Sequence, residues 1–353
     1  MSTTLSRVQR VETVTRGATF VLRRLITAVI TLLGVTLIVF FLTRGVGDPV
    51  YILQGSTPMT PEQLDLLRQQ YGLDRPLWEQ YLDYLGGLVQ GDLGTSLYTK
   101  KPVTAELAIY FPATLSLSVA ALILGVIITV PLGVASAIKP GSFWNRLSIG
   151  FTRFGVAMPS FWFGLLLVYV FVYVLKIAPA PTGQLPIGMA APPRVTGLIP
   201  IDALLAGEWN VFGAAMGQLA LPVLALALTS FPALLALTES VTARVLRSDY
   251  MRTARATGLP PSMAYGRYAA RNIASPIVTQ IAMTFGFLLG GTVLVEFVFS
   301  WPGIGQYAVL SMQRLDFAPV IGIALLTSTI YLVLYFISDL VSLALDPRIR
   351  HDS

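Results

Sequence analysis

Six stretches of this chain carry no charged residue and are long enough to cross a bilayer: 25–43, 107–138, 154–175, 209–238, 272–295 and 317–338. A hydrocarbon core of about 30 Å takes about 20 apolar residues as helix. Inside it the backbone must satisfy its own hydrogen bonds, so each stretch is expected to be helical. The stretch from Pro179 to Pro200 is nearly uncharged too, but Pro179, Pro181, Pro186, Pro192, Pro193 and Pro200 preclude a helix, and a loop is expected there. Composition agrees with lipid as the solvent. Apolar residues make up 54% and charged residues 12%, whereas soluble domains run at about 45–50% and about 25%.

Composition also removes whole classes of chemistry. The chain has no Cys, which excludes disulfides, iron–sulfur clusters and thiolate metal sites. Its one His, His351, lies two residues from the end, so no histidine-built catalytic or metal centre is expected. Arg23 and Arg24 precede the first apolar run, but that run exceeds the about 7–15 residues of a signal-peptide core and no small-x-small cleavage site follows it. An uncleaved first helix is expected.

Lys and Arg orient the bundle. With six spans both termini share a side. That side, which also holds the loops at 139–153 and 239–271, carries 16 of the 24 basic residues and is therefore cytoplasmic. The formal charge of +6 reflects this topology, with anionic membrane lipid as a secondary contact and no nucleic acid expected as a partner. The expected organisation is a cytoplasmic tail over 1–21, a first transmembrane helix over 22–43, an extracytoplasmic helical segment over 44–106, a transmembrane domain over 107–345 and a cytoplasmic tail over 346–353.

The external segment is too long for a simple connection. Thr60 and Gln63 form a capping box with Pro61 in the first turn; Leu64, Leu67 and Tyr71 share a face, and Gly72 stops the helix. A second amphipathic run follows, with Leu77, Trp78, Tyr81, Leu82, Leu85 and Leu88, ending near Gly91. Acids outnumber bases in this segment. It is either a cap lying on the membrane face or a docking and gating element for something delivered from outside.

The cytoplasmic stretch 239–271 is the most informative. Ser240 to Thr257 has good helix formers but no apolar face wide enough for a membrane, Gly258 breaks it, and Pro260 and Pro261 start another short helix. This is either an ordinary basic loop or a rigid knob suited to a groove on a cytoplasmic partner.

At this point the chain resembles a known family. Asp249 and Tyr250, then Thr253, Ala254, Arg255, Ala256, Thr257, Gly258 and Leu259, with Arg271, Asn272 and Pro276, resemble the coupling motif of binding-protein-dependent ABC importer permeases, in the wording of the dipeptide and oligopeptide branch. Similar matches run along the chain. They include Gly47, Asp48 and Pro49; Tyr71, Gly72, Leu73 and Asp74; Gly91 to Gly94 with Ser96; Pro112, Thr114, Leu115 and Leu117; and Met158, Pro159, Ser160, Phe161, Trp162, Phe163 and Gly164. Glu296 and Phe297, then Trp301, Pro302, Gly303, Ile304 and Gly305, and finally 346–350, complete the set. Arg252 stands where the generic motif begins with an acid, Tyr268 where this branch usually has His, and Ser338 where Asn is frequent.

The resemblance implies an all-α polytopic membrane protein of the type I ABC importer permease fold, with six transmembrane helices and the large external segment after the first. It implies a homologous second permease subunit, two cytoplasmic ATPase subunits that hold ATP and Mg, and an extracytoplasmic substrate-binding protein. It places a coupling helix at about 249–262, with Asp249, Tyr250, Thr253, Ala254, Arg255, Ala256 and Gly258 facing the ATPase. Small residues there would allow close packing, and Arg255 would pair with a carboxylate in the groove. Glu296, Trp301, Pro302 and Gly303 are candidates for the external gate or path, although Glu296 would equally cap or pair locally. It lies near a span end, within reach of water, as does Asp339. Gln218, Gln280 and Thr292 would line the path or bond between helices.

The residues agree that ATP chemistry lies elsewhere, since no G-x-x-x-x-G-K-[ST] loop occurs; no cofactor or metal is expected in this chain. Nickel permeases share much of the wording and remain an alternative. A secondary transporter would show repeated halves around midplane ionisable groups, and none is evident.

Overall fold

A computed structural model describes residues 22–24, 26–42, 60–70, 72–260 and 263–345, and the regular structure among the described residues is helical. Gly47, Asp48, Pro49, Tyr71, Pro261 and the 346–350 motif lie outside them. Five helices are individually long and apolar enough to cross a membrane: α1 (Leu22–Leu42), α4 (Val103–Ile138), α8 (Trp209–Ser230), α11 (Ala270–Gly291) and α14 (Phe317–Leu345). The sixth span is a pair, α5 (Phe143–Ala157) and α6 (Ser160–Leu167), the latter continued by wider π-type turns over Val168–Val174.

That pair corrects the expectation of one helix over 154–175 and of a loop over 139–153. The two pieces meet at 105°. Pro159 is the cause: the residue before a proline is pushed out of the α region, and Met158 takes φ −108°, ψ 121°. A charge-free run is blind to such a break. The stretch 209–238 divides in the same way. Helix α8 stops at Ser230, and after Phe231 a new helix, α9 (Pro232–Leu246), starts with proline in its first turn, where no N–H is missed. Between α6 and α8 the chain lacks a helix until α7 (Ile199–Leu205), as the prolines require.

Two boundaries also move. Helix α4 begins at Val103, so the division expected at 107 falls inside it, with Glu106 buried in its first turn. The stretch 272–295 ends as a helix at Gly291 and restarts as α12 (Val293–Val298), followed by α13 (Ile304–Gln313). The helix expected over 240–257 is interrupted at Arg247 and Ser248, which separate α9 from α10 (Asp249–Ala256); the expected coupling helix to 262 thus ends at 256.

The core sits where α4, α6, α8, α9 and α11 cross, around Leu117, Leu226, Phe231, Leu234 and Leu288. Glycines let the backbones approach. A Cβ on Gly125 would sit 2.5 Å from the Phe231 ring, and one on Gly155 only 2.4 Å from the Leu228 carbonyl oxygen and Pro232.

The segment between α1 and α4, expected outside, supplies α2 (Pro61–Gln70) and α3 (Leu77–Val89). The capping box forms as expected: the Thr60 N–H donates to Gln63 Oε1 at 3.0 Å and the Gln63 N–H to Thr60 Oγ1 at 3.4 Å. Gly72 takes the left-handed conformation, φ +63°. On α3 the packed face is Tyr81, Tyr84 and Leu88, seated on Phe40 of α1 and on Ile321 and Leu325 of α14. Leu77, Trp78 and Leu82, expected on that face, are exposed.

Candidate functional site

The knob is an eight-residue helix, α10, with a defined stop. After Thr257 the Gly258 N–H bonds the Arg255 carbonyl at 3.1 Å and the Leu259 N–H bonds the Ala254 carbonyl at 3.1 Å. This is a Schellman closure, and it needs a residue with positive φ: Gly258 has φ +73°. A Cβ there would meet nothing within 4 Å, so glycine is present for its backbone and not for space. The knob is fastened from below. Met251 is fully buried in the main core. Thr253 Oγ1 donates to the Asp249 carbonyl at 3.0 Å, and Arg255 Nη2 donates to the Leu246 carbonyl at the end of α9. Tyr250 OH accepts from Asn272 Nδ2 at 3.1 Å, which ties the knob to α11.

Seven sequence-expected positions thus divide. Asp249, Thr253, Ala256 and Gly258 are exposed, and Ala254 is half-buried. Tyr250 and Arg255 are exposed but each already makes a bond within the chain. Arg255, expected to reach a partner's carboxylate, is exposed and places one donor on a helix-end carbonyl. Asp249 is 3.4 Å from Arg252, an exposed pair one turn apart that contributes little.

The external candidates form a second constellation. Glu296 has no exposed surface, so water does not reach it as its position near a span end suggested. Its Oε1 accepts from Thr114 Oγ1 at 2.6 Å and Thr292 Oγ1 at 2.9 Å; its Oε2 accepts from the Gln306 N–H at 3.0 Å. Thr114 in turn accepts from the Ile304 N–H at 2.9 Å. Trp301 is buried and its Nε1 donates to the Ala113 carbonyl at 2.8 Å. Gly303 lies in the crevice: a Cβ would come within 2.4 Å of Thr114 Oγ1 and 2.5 Å of the Glu296 carboxyl carbon. Pro302 is exposed. The arrangement locks α4, α12 and α13 together at one end of the bundle. Of the other polar candidates, Gln218 donates to Thr182 Oγ1 at 3.0 Å and Gln280 to Thr284 Oγ1 at 3.4 Å; the Asp339 side chain lies outside the described residues. No group of three or more His, Asp or Glu among the described residues is placed to hold a metal ion.

Two families match along the chain. The one described as "Binding-protein-dependent transport system inner membrane component" covers residues 129–351, and its N-terminal counterpart covers 18–118. The chain belongs to the binding-protein-dependent transport system inner membrane components. It is 36% identical over 335 residues to the dipeptide transport system permease protein DppB of Escherichia coli K12, covering 94% of this chain and 98% of that one. It is 38% identical over 333 residues to the di/tripeptide transport system permease protein DppB of Pseudomonas aeruginosa, covering 94% and 98%. It is also 39% identical over 322 residues to the probable D,D-dipeptide transport system permease protein DdpB of E. coli K12, covering 91% and 94%.

This permease component carries polar residues that the sequence did not single out. Glu106 is buried and accepts from the Tyr307 hydroxyl, whose ring stacks on Tyr110 at 4.6 Å. Asp316 is buried and accepts from Ser96 Oγ at 2.5 Å and from the N–H groups of Leu97 and Tyr98 at 3.1 and 3.2 Å. Together they clamp α13 and the turn after it to the start of α4 and to the stretch just before it. No local pattern marks such acids, because their partners lie 201 and 220 residues away. Asp202, in α7, is buried and accepts from Thr196 and Gly197. Burial pushes its carboxyl up, but the Thr196 and Gly197 donors outweigh that and hold it below the usual carboxylate range.

Proposed function

We propose that this chain is the membrane-spanning permease subunit of an ATP-driven importer of short peptides in a prokaryotic plasma (inner) membrane, with both termini cytoplasmic. The substrate class rests on the similar proteins named for dipeptide and di/tripeptide transport. The observation that carries the mechanical part is the knob: an exposed short helix with small outward residues, anchored by a buried Met251 and closed by Gly258. It holds no catalytic group. Its form suits insertion into a partner's groove.

In this scheme two cytoplasmic ATPase subunits bind ATP and Mg and grip α10 and its counterpart on a homologous second permease. An extracytoplasmic binding protein delivers peptide to the external segment. ATP binding closes the ATPase dimer and levers the knob, and the helices exchange inward-facing for outward-facing. Each step is a bias on a two-state equilibrium.

The chain has no native cysteine, so single-cysteine variants report cleanly. Ala256→Cys is expected to crosslink to a copurifying ATPase subunit, and Val89→Cys, exposed on α3, is not. Failure of Ala256→Cys and neighbouring Thr253→Cys to crosslink in an intact complex would contradict the docking of the knob.

A further inference from the structure

Three helices meet through four side chains at the root of the knob. Asn145, in the first turn of α5, donates from Nδ2 to Ser136 Oγ at the end of α4 (2.9 Å) and to Glu239 Oε1 in α9 (3.0 Å). Its own Oδ1 accepts from the Gly141 N–H at 3.1 Å. Ser148, one turn further along α5, donates to Glu239 Oε2 at 2.7 Å. Ser136 and Ser148 are buried, Asn145 and Glu239 half-buried. No cation among the described residues forms a salt bridge with Glu239. Both carboxylate oxygens are therefore held by neutral donors, and every donor belongs to α5.

We infer that Glu239 is a positioning residue that transmits the knob's movement into α5. The inference rests on the knob being the site at which the ATPase acts. The knob is tied to α9 by the bond from Arg255 to the Leu246 carbonyl, and to the core by the buried Met251. Glu239 lies on α9 two turns before Leu246 and is the point where α9 holds α5 by polar contacts. Helix α5 then passes through the 105° bend at Met158 and Pro159 into α6. There Gly164 faces Phe299, with room for a Cβ only 3.1 Å from the ring, and Phe299 adjoins the Glu296 and Trp301 constellation. The Arg255 and Glu239 hydrogen bonds, the bend at Met158 and Pro159 and the Gly164–Phe299 packing thus make a continuous path from the knob to the Glu296 constellation. At the other end of α9, Phe231 leaves the helical conformation (φ −104°, ψ 1°), which interrupts the helix between α8 and α9. A motion of α9 has to be passed on sideways, and the Glu239 joint does so.

The test uses the whole complex, with its ATPase and binding-protein partners, in vesicles of phosphatidylethanolamine and phosphatidylglycerol, with dialanine as the probe. Glu239→Ala is expected to lower dialanine moved per ATP hydrolysed about tenfold, with subunit assembly and the ATPase rate without binding protein unchanged. Glu239→Gln is expected within about twofold of the parent, because its amide still accepts from Asn145 and bonds the Ser148 hydroxyl. Asn145→Ala with Glu239→Ala is expected to lose no more than Glu239→Ala alone. An assembled Glu239→Ala complex with unchanged stoichiometry overturns the inference. So does a variant pair in which Glu239→Ala and Glu239→Gln fail to assemble alike, since that is a structural role. If the parent complex takes up no dialanine, the peptide reading fails instead, and the ATPase stimulation by binding protein still reads Glu239.

Discussion

Gly303 and Gly258 are needed for opposite reasons, and substitutions separate them. At Gly303 the obstacle is space: a methyl group would press on Thr114 and Glu296, which are fixed by their own bonds. Gly303→Ala is expected to destabilise the detergent-solubilised protein by about 1–3 kcal/mol, read as a lower unfolding temperature. At Gly258 the obstacle is backbone, costing about 1–2 kcal/mol locally and leaving the bundle intact. Gly258→Asp is therefore expected to reach the membrane at normal level and fail to transport. Full uptake by a normally expressed Gly258→Asp variant contradicts the role given to the knob. Gly258 was legible from sequence, because a helix followed by Gly and then Pro is a stop signal. The partner of Glu296 was not, since Thr114 lies 182 residues away and only the fold brings them together.

Elements were legible where a local rule decides them. Thr60 and Gln63 cap their helix as the residues require, and the charge-free runs locate the spans. The break at Pro159 inside one of those runs was not read, although the proline stands in plain view, because counting charges ignores backbone geometry. Met251 was missed for another reason. One Met among Arg and Thr looks solvated, and only packing shows it as the knob's anchor. Met251→Ala is expected to loosen α10 at a cost of about 2–5 kcal/mol, seen as faster amide exchange over 249–259 than over α8. The segment around α7 offers a pH test. Asp202 has a lowered pKa in the folded chain, so its contribution is present above the unfolded value of about 3.9 and is lost as pH falls through the folded one. Proteolysis between 175 and 205 is expected to rise below about pH 4, and Asp202→Asn to show that sensitivity already at pH 7.

At the scale of the molecule, the two constellations lie at opposite ends of α11: Asn272 near its start bonds the knob, and Thr292 just past its end bonds Glu296. The one around Glu296 is held by a buried acid and its hydroxyl partners, and the other presents a small, firmly rooted helix. Such a division suits a subunit that receives work at one end and changes access at the other. The most direct test is ATP hydrolysis by the complex copurified through a tag on this chain and placed in lipid, measured with and without peptide-loaded binding protein. The account predicts a second permease and ATPase subunits in the preparation, with hydrolysis stimulated by the loaded binding protein. A chain that purifies without ATPase subunits, under detergents that preserve such complexes, would contradict it.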